Sequence, residues 1–175
     1  MAMNEEAETQ ARAKHAAASG ALFRWLLAAS IAFVIGATTW TQFKGSAPLI
    51  DADDERLVGL GKRVYAERCA FCHGTNLEGQ PAWRKRRADG RLPAPPHDAS
   101  GHTWHHPDAL LIDIVRYGFT SGRNAPPGYA SDMPGFENTL SDKEIRASLA
   151  FIKSSWPEPL RAQQARVTRE ATARR

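Results

Sequence analysis

The first feature of the hydrophobic pattern is an uncharged run near the N-terminus, WLLAASIAFVIGATTWTQF over residues 25–43. A helix of this length extends about 28 Å, close to the hydrocarbon thickness of a bilayer. Trp25, Trp40 and Phe43 lie at its ends, where aromatic rings favour the membrane interface. The pattern therefore predicts a single transmembrane helix over residues 21–43.

A cleaved signal peptide is the other interpretation of this run, because Gly45-Ser46-Ala47 has the small residues of a cleavage site. Signal peptides have shorter apolar cores that begin nearer the N-terminus, and this difference favours a retained helix. Basic residues before the run indicate an N-terminus inside the cytoplasm. We expect residues 1–20 to be a cytoplasmic segment and the chain after residue 43 to lie outside.

After a linker at residues 44–52, the pattern changes to amphipathic helices. The first is predicted over about residues 53–68, with Leu57, Leu60 and Val64 on one face. Acidic residues occupy its first turn, where they complement the helix dipole.

Two more helices are predicted further along the chain. One begins at Pro107, a favourable first helical residue, and ends at Gly118. The other begins at Ser141, which forms a capping-box pattern with Glu144, and it ends at Trp156.

The last segment, residues 157–175, has few strongly apolar positions, namely Leu160 and Val167. We expect this basic C-terminal tail to be a frayed helix or a disordered extension. A basic contact with anionic lipid or with a partner is the alternative.

Composition and charge are those of an ordinary globular domain with extensions. Apolar residues make up 42% of the 175 residues, and the formal net charge is +4. The basic residues are scattered, apart from Arg84-Lys85-Arg86-Arg87, so nothing indicates a nucleic-acid surface. We interpret that run as a solvated loop, with a docking patch as the alternative.

The candidate chemistry lies in the pentad Cys69-Ala70-Phe71-Cys72-His73, which contains both cysteines of the chain. A Cys-x-x-Cys-His sequence is the attachment site of a c-type haem. The two thiols add covalently to the haem vinyl groups, and the adjacent histidine is placed to reach the iron.

Three other interpretations of the pentad stay open. Half of a zinc site would need two further ligands from His97, His102, His105 or His106, and their spacing matches no common zinc finger. A thioredoxin-like redox pair would need a strand–helix–strand pattern, of which the sequence has almost none. The third is a plain structural disulfide.

A haem would also explain the loops that separate the three predicted helices. Residues 74–106 and 119–140 are rich in glycine and proline, and structureless segments of this length are unusual in a compact domain. A buried haem gives such loops a large apolar surface to pack against.

Four motifs in order along residues 53–156 resemble the class I c-type cytochromes, in their single-haem, membrane-anchored bacterial form. They are Gly61-x-x-x-Tyr65, then Cys69-x-x-Cys72-His73-Gly74, then Val115-x-x-Gly118 leading to Met133-Pro134-Gly135-Phe136, and last Leu140-Ser141-Asp142-x-Glu144-Ile145 with Phe151-Ile152. The resemblance implies an all-α class I cytochrome c fold, in which three main helices and loops surround one covalent haem, preceded here by the transmembrane helix.

The resemblance also implies the role of each site residue. Cys69 and Cys72 would hold the haem by thioether bonds, with His73 and Met133 as the two axial iron ligands. Met133 is the only methionine of the predicted domain.

The resemblance implies two further contacts. A carbonyl of Pro93, Pro95 or Pro96 would accept the ring N–H of His73 and so fix its tautomer. Gly61 and Tyr65 would meet the last helix near Phe151.

The stretch Gly101-His102-Thr103-Trp104-His105-His106 departs from the family's barest pattern. A polar loop over the haem edge is the simplest interpretation, and Trp104 is a candidate donor to a haem propionate. A histidine ligand in place of Met133, or a copper site, is the remaining alternative.

The function implied is one-electron transfer rather than enzymatic catalysis, in a respiratory or periplasmic chain. Expected partners are a cytochrome bc-type complex, a haem–copper oxidase or a periplasmic oxidoreductase. The expected location is the bacterial inner membrane, single-pass, with the haem domain on the periplasmic side. The alternatives are a dedicated haem subunit of a membrane oxidoreductase, a haem ligand sensor or peroxidase-like enzyme, and a metal-binding protein built on the histidine cluster.

Overall fold

The computed structural model describes residues 49–174 together with Ser30. The predicted cytoplasmic segment, the predicted transmembrane helix except for Ser30, and most of the linker fall outside these residues. Within the described part, no helix has both the length and the apolar character needed to cross a bilayer.

Residues 49–174 form an all-α unit, as the sequence predicts. Its elements are α1 (Glu55–Arg68), α2 (Ala70–His73), a 3₁₀ helix (Thr103–His105), α3 (Asp108–Tyr117), α4 (Asp142–Ser154) and α5 (Glu158–Ala173). Residues 49–174 contain no strand beyond an isolated bridge between Ser121 and Ala125.

Helix α1 forms where the apolar stripe and the acidic first turn predict it. The Asp54 side chain caps its N-terminus by accepting hydrogen bonds from the amides of Arg56 and Leu57. The helix ends at Cys69, so its last turn leads directly into the pentad.

Helices α1 and α4 pack closely because a glycine lies at the crossing. A Cβ atom on Gly61 would lie 1.8 Å from the carbonyl oxygen of Ala147 and 3.0 Å from the Cβ of Phe151. The ring of Tyr65 packs on that of Phe151, with 5.4 Å between centroids. The sequence predicted that Gly61 and Tyr65 contact the helix beginning at Ser141 near Phe151. This contact is confirmed, and the helix is α4.

The hydrophobic core lies around this crossing. It contains Ile50, Val64, Tyr65, Ala70, Leu77, Leu111, Leu140, Ile145, Leu149, Ala150, Ile152 and Trp156. Half of these residues belong to α4 or to the residues flanking it, and others come from α1, α2 and α3. Ala70 belongs to the pentad, so the core includes part of the pentad itself.

The caps predicted for α4 and α3 are also confirmed. The Ser141 hydroxyl accepts a hydrogen bond from the amide of Glu144, and the Glu144 carboxylate accepts one from the amide of Ser141. Helix α3 ends at Gly118, whose φ of +74° suits glycine. A Cβ there would lie 2.7 Å from the carbonyl oxygen of Met133.

The C-terminal segment departs from the sequence prediction, because residues 158–173 form a continuous helix, α5. The contacts that fix it are mostly polar and are therefore absent from a hydrophobic pattern. Gln164 has no exposed surface. Its side-chain nitrogen, Nε2, donates hydrogen bonds to Asp108 Oδ1 at 2.7 Å and to His106 O at 3.1 Å. The expected frayed or disordered tail is thus wrong for these residues.

Candidate haem site

The pentad folds into a single short turn that brings its three functional side chains together. Helix α2 begins after Cys69 and ends at Gly74, where φ is +81°. The amides of Cys72 and His73 donate to the carbonyl of Cys69 at 3.1 and 2.9 Å. Both sulfur atoms and the imidazole therefore originate from one helical turn.

His73 is buried, and its orientation is fixed by the loop that follows. Its Nδ1 lies 2.8 Å from the carbonyl oxygen of Pro95. A carbonyl oxygen can only accept, so Nδ1 carries the hydrogen and Nε2 keeps its lone pair. The prediction that one of three prolines supplies this acceptor is confirmed, and the residue is Pro95.

The electrostatics of His73 favour the neutral form of its imidazole. Burial lowers the pKa of His73 below its usual 6.5, while the hydrogen bond to Pro95 opposes that shift. The imidazole is therefore neutral at pH 7, as a metal ligand must be.

The two cysteines are half-buried beside the histidine and are not joined by a disulfide. Burial, and to a smaller extent the proximity of Cys72, raises the pKa of Cys69 to about 11. The Cys69 sulfur is therefore uncharged at pH 7.

Tyr65 connects α1 to the pentad by hydrogen bonds. The motif spacing in the sequence did not predict these bonds. Its hydroxyl lies 3.3 Å from the carbonyl oxygen of His73 and 3.2 Å from that of Gly74. Burial is the main cause of the raised pKa of this phenol. Tyr65 therefore stays protonated and donates to the C-terminal end of α2.

His97 lies directly against the predicted iron ligand. Its ring stacks on that of His73, with 3.9 Å between centroids and 16° between planes. Trp156 Nε1 donates to the His97 carbonyl at 2.7 Å. Burial first, and then the nearby His73 and His102, lower the pKa of His97 well below 6.5, so this ring is neutral.

Three buried ring nitrogens in this region have no hydrogen-bond partner in the described part of the chain: His97 Nδ1, His102 Nδ1 and Trp104 Nε1. An indole N–H can only donate, and a buried donor without an acceptor is costly. Haem propionates would supply carboxylate oxygens as acceptors. The two cysteines without a disulfide, the oriented imidazole and these unpartnered nitrogens fit a covalent haem.

The histidine-rich stretch is held together by ring stacking. Trp104 stacks on His105 at 3.7 Å, and His102 stacks on Trp83 at 5.3 Å between centroids. Across residues 49–174, no group of three or more His, Cys, Asp or Glu side chains is arranged to hold a metal ion. The copper site that the sequence left open has no support in this part of the chain.

Met133 lies on a separate loop that packs against the end of α3. Its side chain is half-buried, and its amide donates to Ser131 Oγ at 3.0 Å. The amides of Phe136 and Glu137 donate to the carbonyls of Val115 and Arg116 at 3.1 and 2.9 Å. Its role as second axial ligand stays a prediction, as do those of the pentad residues and Trp104.

The basic run is an exposed loop whose arginines have specific partners. The guanidinium of Arg84 lies 3.9 Å from the centroid of Trp83, and Arg86 Nη1 donates to Gly90 O at 2.5 Å. Arg87 pairs with Asp132, the neighbour of Met133. Sequence analysis missed this last contact, which joins residues 45 positions apart.

Comparisons with known proteins agree with this geometry. The family model described as cytochrome c matches residues 58–156. A nitrite reductase from Stutzerimonas stutzeri is 27% identical over 116 residues, which cover 63% of this chain and 17% of that protein. The cbb3-type cytochrome c oxidase subunit CcoP from Azospirillum sp. (strain B510) is 32% identical over 101 residues, which cover 58% of this chain and 29% of that protein.

The matched region runs from within α1 to the end of α4, so it contains the pentad and leaves out α5. The aligned segments span less than a third of the length of these two curated relatives. No solved structure matches significantly.

Proposed function

This chain belongs to the cytochrome c family, with haem c as its covalent cofactor, and from that membership we propose that it is a membrane-tethered one-electron carrier. His73 and Met133 are the proposed axial ligands, and Cys69 and Cys72 the proposed attachment points. A covalent haem supplies a one-electron iron couple. A histidine–methionine ligand set favours the reduced state and raises the reduction potential.

The observation that carries this proposal is the orientation of His73. Its Nδ1–H is held by Pro95 at 2.8 Å, and its pKa is lowered by burial. A neutral imidazole that is oriented by a hydrogen bond, beside two cysteines not joined by a disulfide, has what a proximal ligand needs.

The surface next to the cysteines supports brief docking of a redox partner. Phe71, between the two cysteines, is 98% exposed, although large apolar side chains are usually buried. An exposed aromatic ring beside the attachment point gives a partner an apolar contact close to the haem. We propose a cytochrome bc-type complex, a haem–copper oxidase or a periplasmic oxidoreductase as partner.

The membrane anchor remains part of the proposal. Residues 21–43 would span the inner membrane once, with the haem domain on the periplasmic side. Tethering would raise the concentration of the domain near membrane-bound partners. If the proposal is right, alkaline carbonate will not extract the full-length protein, and protease added to intact spheroplasts will digest the haem domain.

Electron transfer is tested with the full-length, haem-loaded protein. Quinol-fed membranes of the source organism should reduce it, and membranes containing a terminal oxidase should oxidise the reduced form. A Phe71→Ala variant should be oxidised more slowly without any change in its absorption spectrum. A wild-type protein that is neither reduced nor oxidised by the membranes would contradict the proposed function.

A dedicated haem subunit of one oxidoreductase is the second candidate. It is favoured by the similarity to CcoP, which is a subunit of a cytochrome c oxidase. A free carrier should purify alone from mildly solubilised membranes, whereas a subunit should purify with a stoichiometric enzyme.

A further inference from the structure

The turn that begins at the last residue of the basic run holds two arginines side by side. The amide of Arg87 donates to the carbonyl of Arg91 at 2.9 Å, and the amide of Gly90 donates to the carbonyl of Arg87 at 2.9 Å. The Asp89 carboxylate accepts the amide of Arg91 at 3.0 Å and so closes the turn from inside. Backbone hydrogen bonds therefore place both arginines at the base of one turn.

Both arginines contact the same carboxylate, that of Asp132. Arg87 Nη2 pairs with Oδ2, and Arg91 Nε lies 3.3 Å from Oδ1. Each carboxylate oxygen thus has its own guanidinium. We call this arrangement the arginine clamp, defined as Arg87, Arg91 and Asp132.

A second contact joins the same two loops. The guanidinium of Arg86 lies 5.2 Å from the ring centroid of Tyr129. That ring packs edge-on against Phe119, with 5.0 Å between centroids. The loop of the basic run thus approaches the methionine loop, residues 126–135, at two points.

The arginine clamp contacts the chain on the N-terminal side of Met133, whereas backbone hydrogen bonds to α3 hold the C-terminal side. On the C-terminal side, the amides of Phe136 and Glu137 are bonded to the carbonyls of α3 at 3.1 and 2.9 Å. On the N-terminal side, the clamp grips the residue directly before Met133. The methionine loop is therefore fixed on both sides of its proposed ligand.

We propose that Arg87 and Arg91 are positioning residues that hold Met133 in place through Asp132 and so limit how often the methionine leaves the iron. The proposal rests on the proposed function because it takes Met133 as the second axial ligand. The clamp side chains are 42–50% exposed, so each ion pair contributes little alone. Two pairs on one carboxylate form a small network, and we expect an effect of several-fold.

The test is imidazole binding to the full-length, haem-loaded ferric protein. Added imidazole binds only molecules whose methionine has left, so its apparent dissociation constant reports the open fraction. Asp132→Asn, which keeps the side-chain shape and removes the charge, should lower that constant about three- to ten-fold. Asp132→Glu, which restores the charge, should bring the constant back towards its wild-type value.

Asp53→Asn is the matched control, because it also removes a carboxylate paired with an arginine, Arg161, at 2.8 Å. This pair lies outside the two loops, so the variant should bind imidazole like the wild type. Raising the ionic strength to about 1 M should weaken the clamp and increase imidazole affinity in the wild type but not in Asp132→Asn.

The outcomes distinguish failure of the arginine-clamp proposal from failure of the assignment of Met133 as axial ligand. A sulfur-to-iron band in the wild type that is absent in Met133→Ala supports the ligand. If Asp132→Asn then binds imidazole with wild-type affinity, the clamp is wrong and the ligand stands. A wild type without the band overturns both.

Discussion

Gly61 is the residue on which the contact between α1 and α4 depends. Gly61→Ala would place a methyl group 1.8 Å from the carbonyl oxygen of Ala147, and backbone cannot move aside as a flexible side chain can. We expect a loss of about 1–3 kcal/mol or more in the free energy of unfolding, because the helices must separate. Urea denaturation of the haem-loaded protein measures it.

Gly59→Ala is the control for this prediction, since it lies in the same helix with nothing within 4 Å of the new Cβ. Alanine favours the helix over glycine, so this variant should be more stable by about 0.5–1 kcal/mol. Equal effects of the two substitutions would contradict the packing account.

Residue-scale predictions from sequence succeeded where a motif carries its own geometry. The pentad specified one turn with two cysteines and an imidazole, and the resemblance to the class I c-type cytochromes narrowed the acceptor of the His73 N–H to three prolines. The structure selected Pro95. The ion pair between Arg87 and Asp132 could not be predicted from the sequence. A contact between two loops produces no periodic pattern of apolar residues and no motif.

At the scale of elements, α5 is held by a buried polar network. Asp108 Oδ1 accepts from Lys153 Nζ at 2.8 Å and from Gln164 Nε2 at 2.7 Å, and Thr168 Oγ1 accepts the amide of Asp108 at 3.1 Å. Gln164→Ala would remove one of the donors to this carboxylate. We expect a loss of about 1–3 kcal/mol in the free energy of unfolding, measured by urea denaturation.

Gln163→Ala provides the comparison, because it makes the same change one position earlier, at a side chain that is only half-buried. It should change the free energy of unfolding by about 0.5 kcal/mol or less. A Gln164→Ala variant as stable as Gln163→Ala would mean that the network does not fix α5.

The capping box of α4 predicts a pH dependence. Hydrogen bonds from the hydroxyl and the amide of Ser141 hold the pKa of Glu144 below its usual 4.5. A lowered folded pKa means that this contribution is present above pH 4.5 and is lost as the pH falls through the folded value.

Glu144→Gln should therefore be less stable than the wild type at pH 7, and the difference should shrink as the pH falls below 4.5. Thermal unfolding of both proteins across this range measures it. A difference that stays constant with pH would show that the carboxylate charge contributes nothing.

Elements with an apolar face and end signals were predictable, and α5 was not. Helices α1, α3 and α4 combine a buried stripe with Asp54, Gly118 and Ser141 at their ends. In α5, the fully buried side chain is Gln164, and a glutamine scores as polar in any periodicity analysis. Its burial becomes visible only once Asp108 and His106 are placed around it.

At the scale of the whole molecule, two long loops connect the helices that follow the pentad. Residues 74–102 and 118–141 lie outside the helices, and their contacts include the carbonyl of Pro95, the stacked ring of His97 and the clamp on Asp132. Sequence predicted both loops and the need for a cofactor to order them. The path of each loop is set by such single contacts, which composition does not encode.

The most direct test of the account combines an acid–solvent extraction with an absorption spectrum. Purified wild-type protein should keep its colour on the polypeptide in acidified organic solvent, and its mass should include the haem. The ferric protein should show a sulfur-to-iron charge-transfer band that Met133→Ala lacks. Colour that washes away from the chain would contradict covalent attachment at Cys69 and Cys72, and a wild type without the band would contradict ligation by Met133.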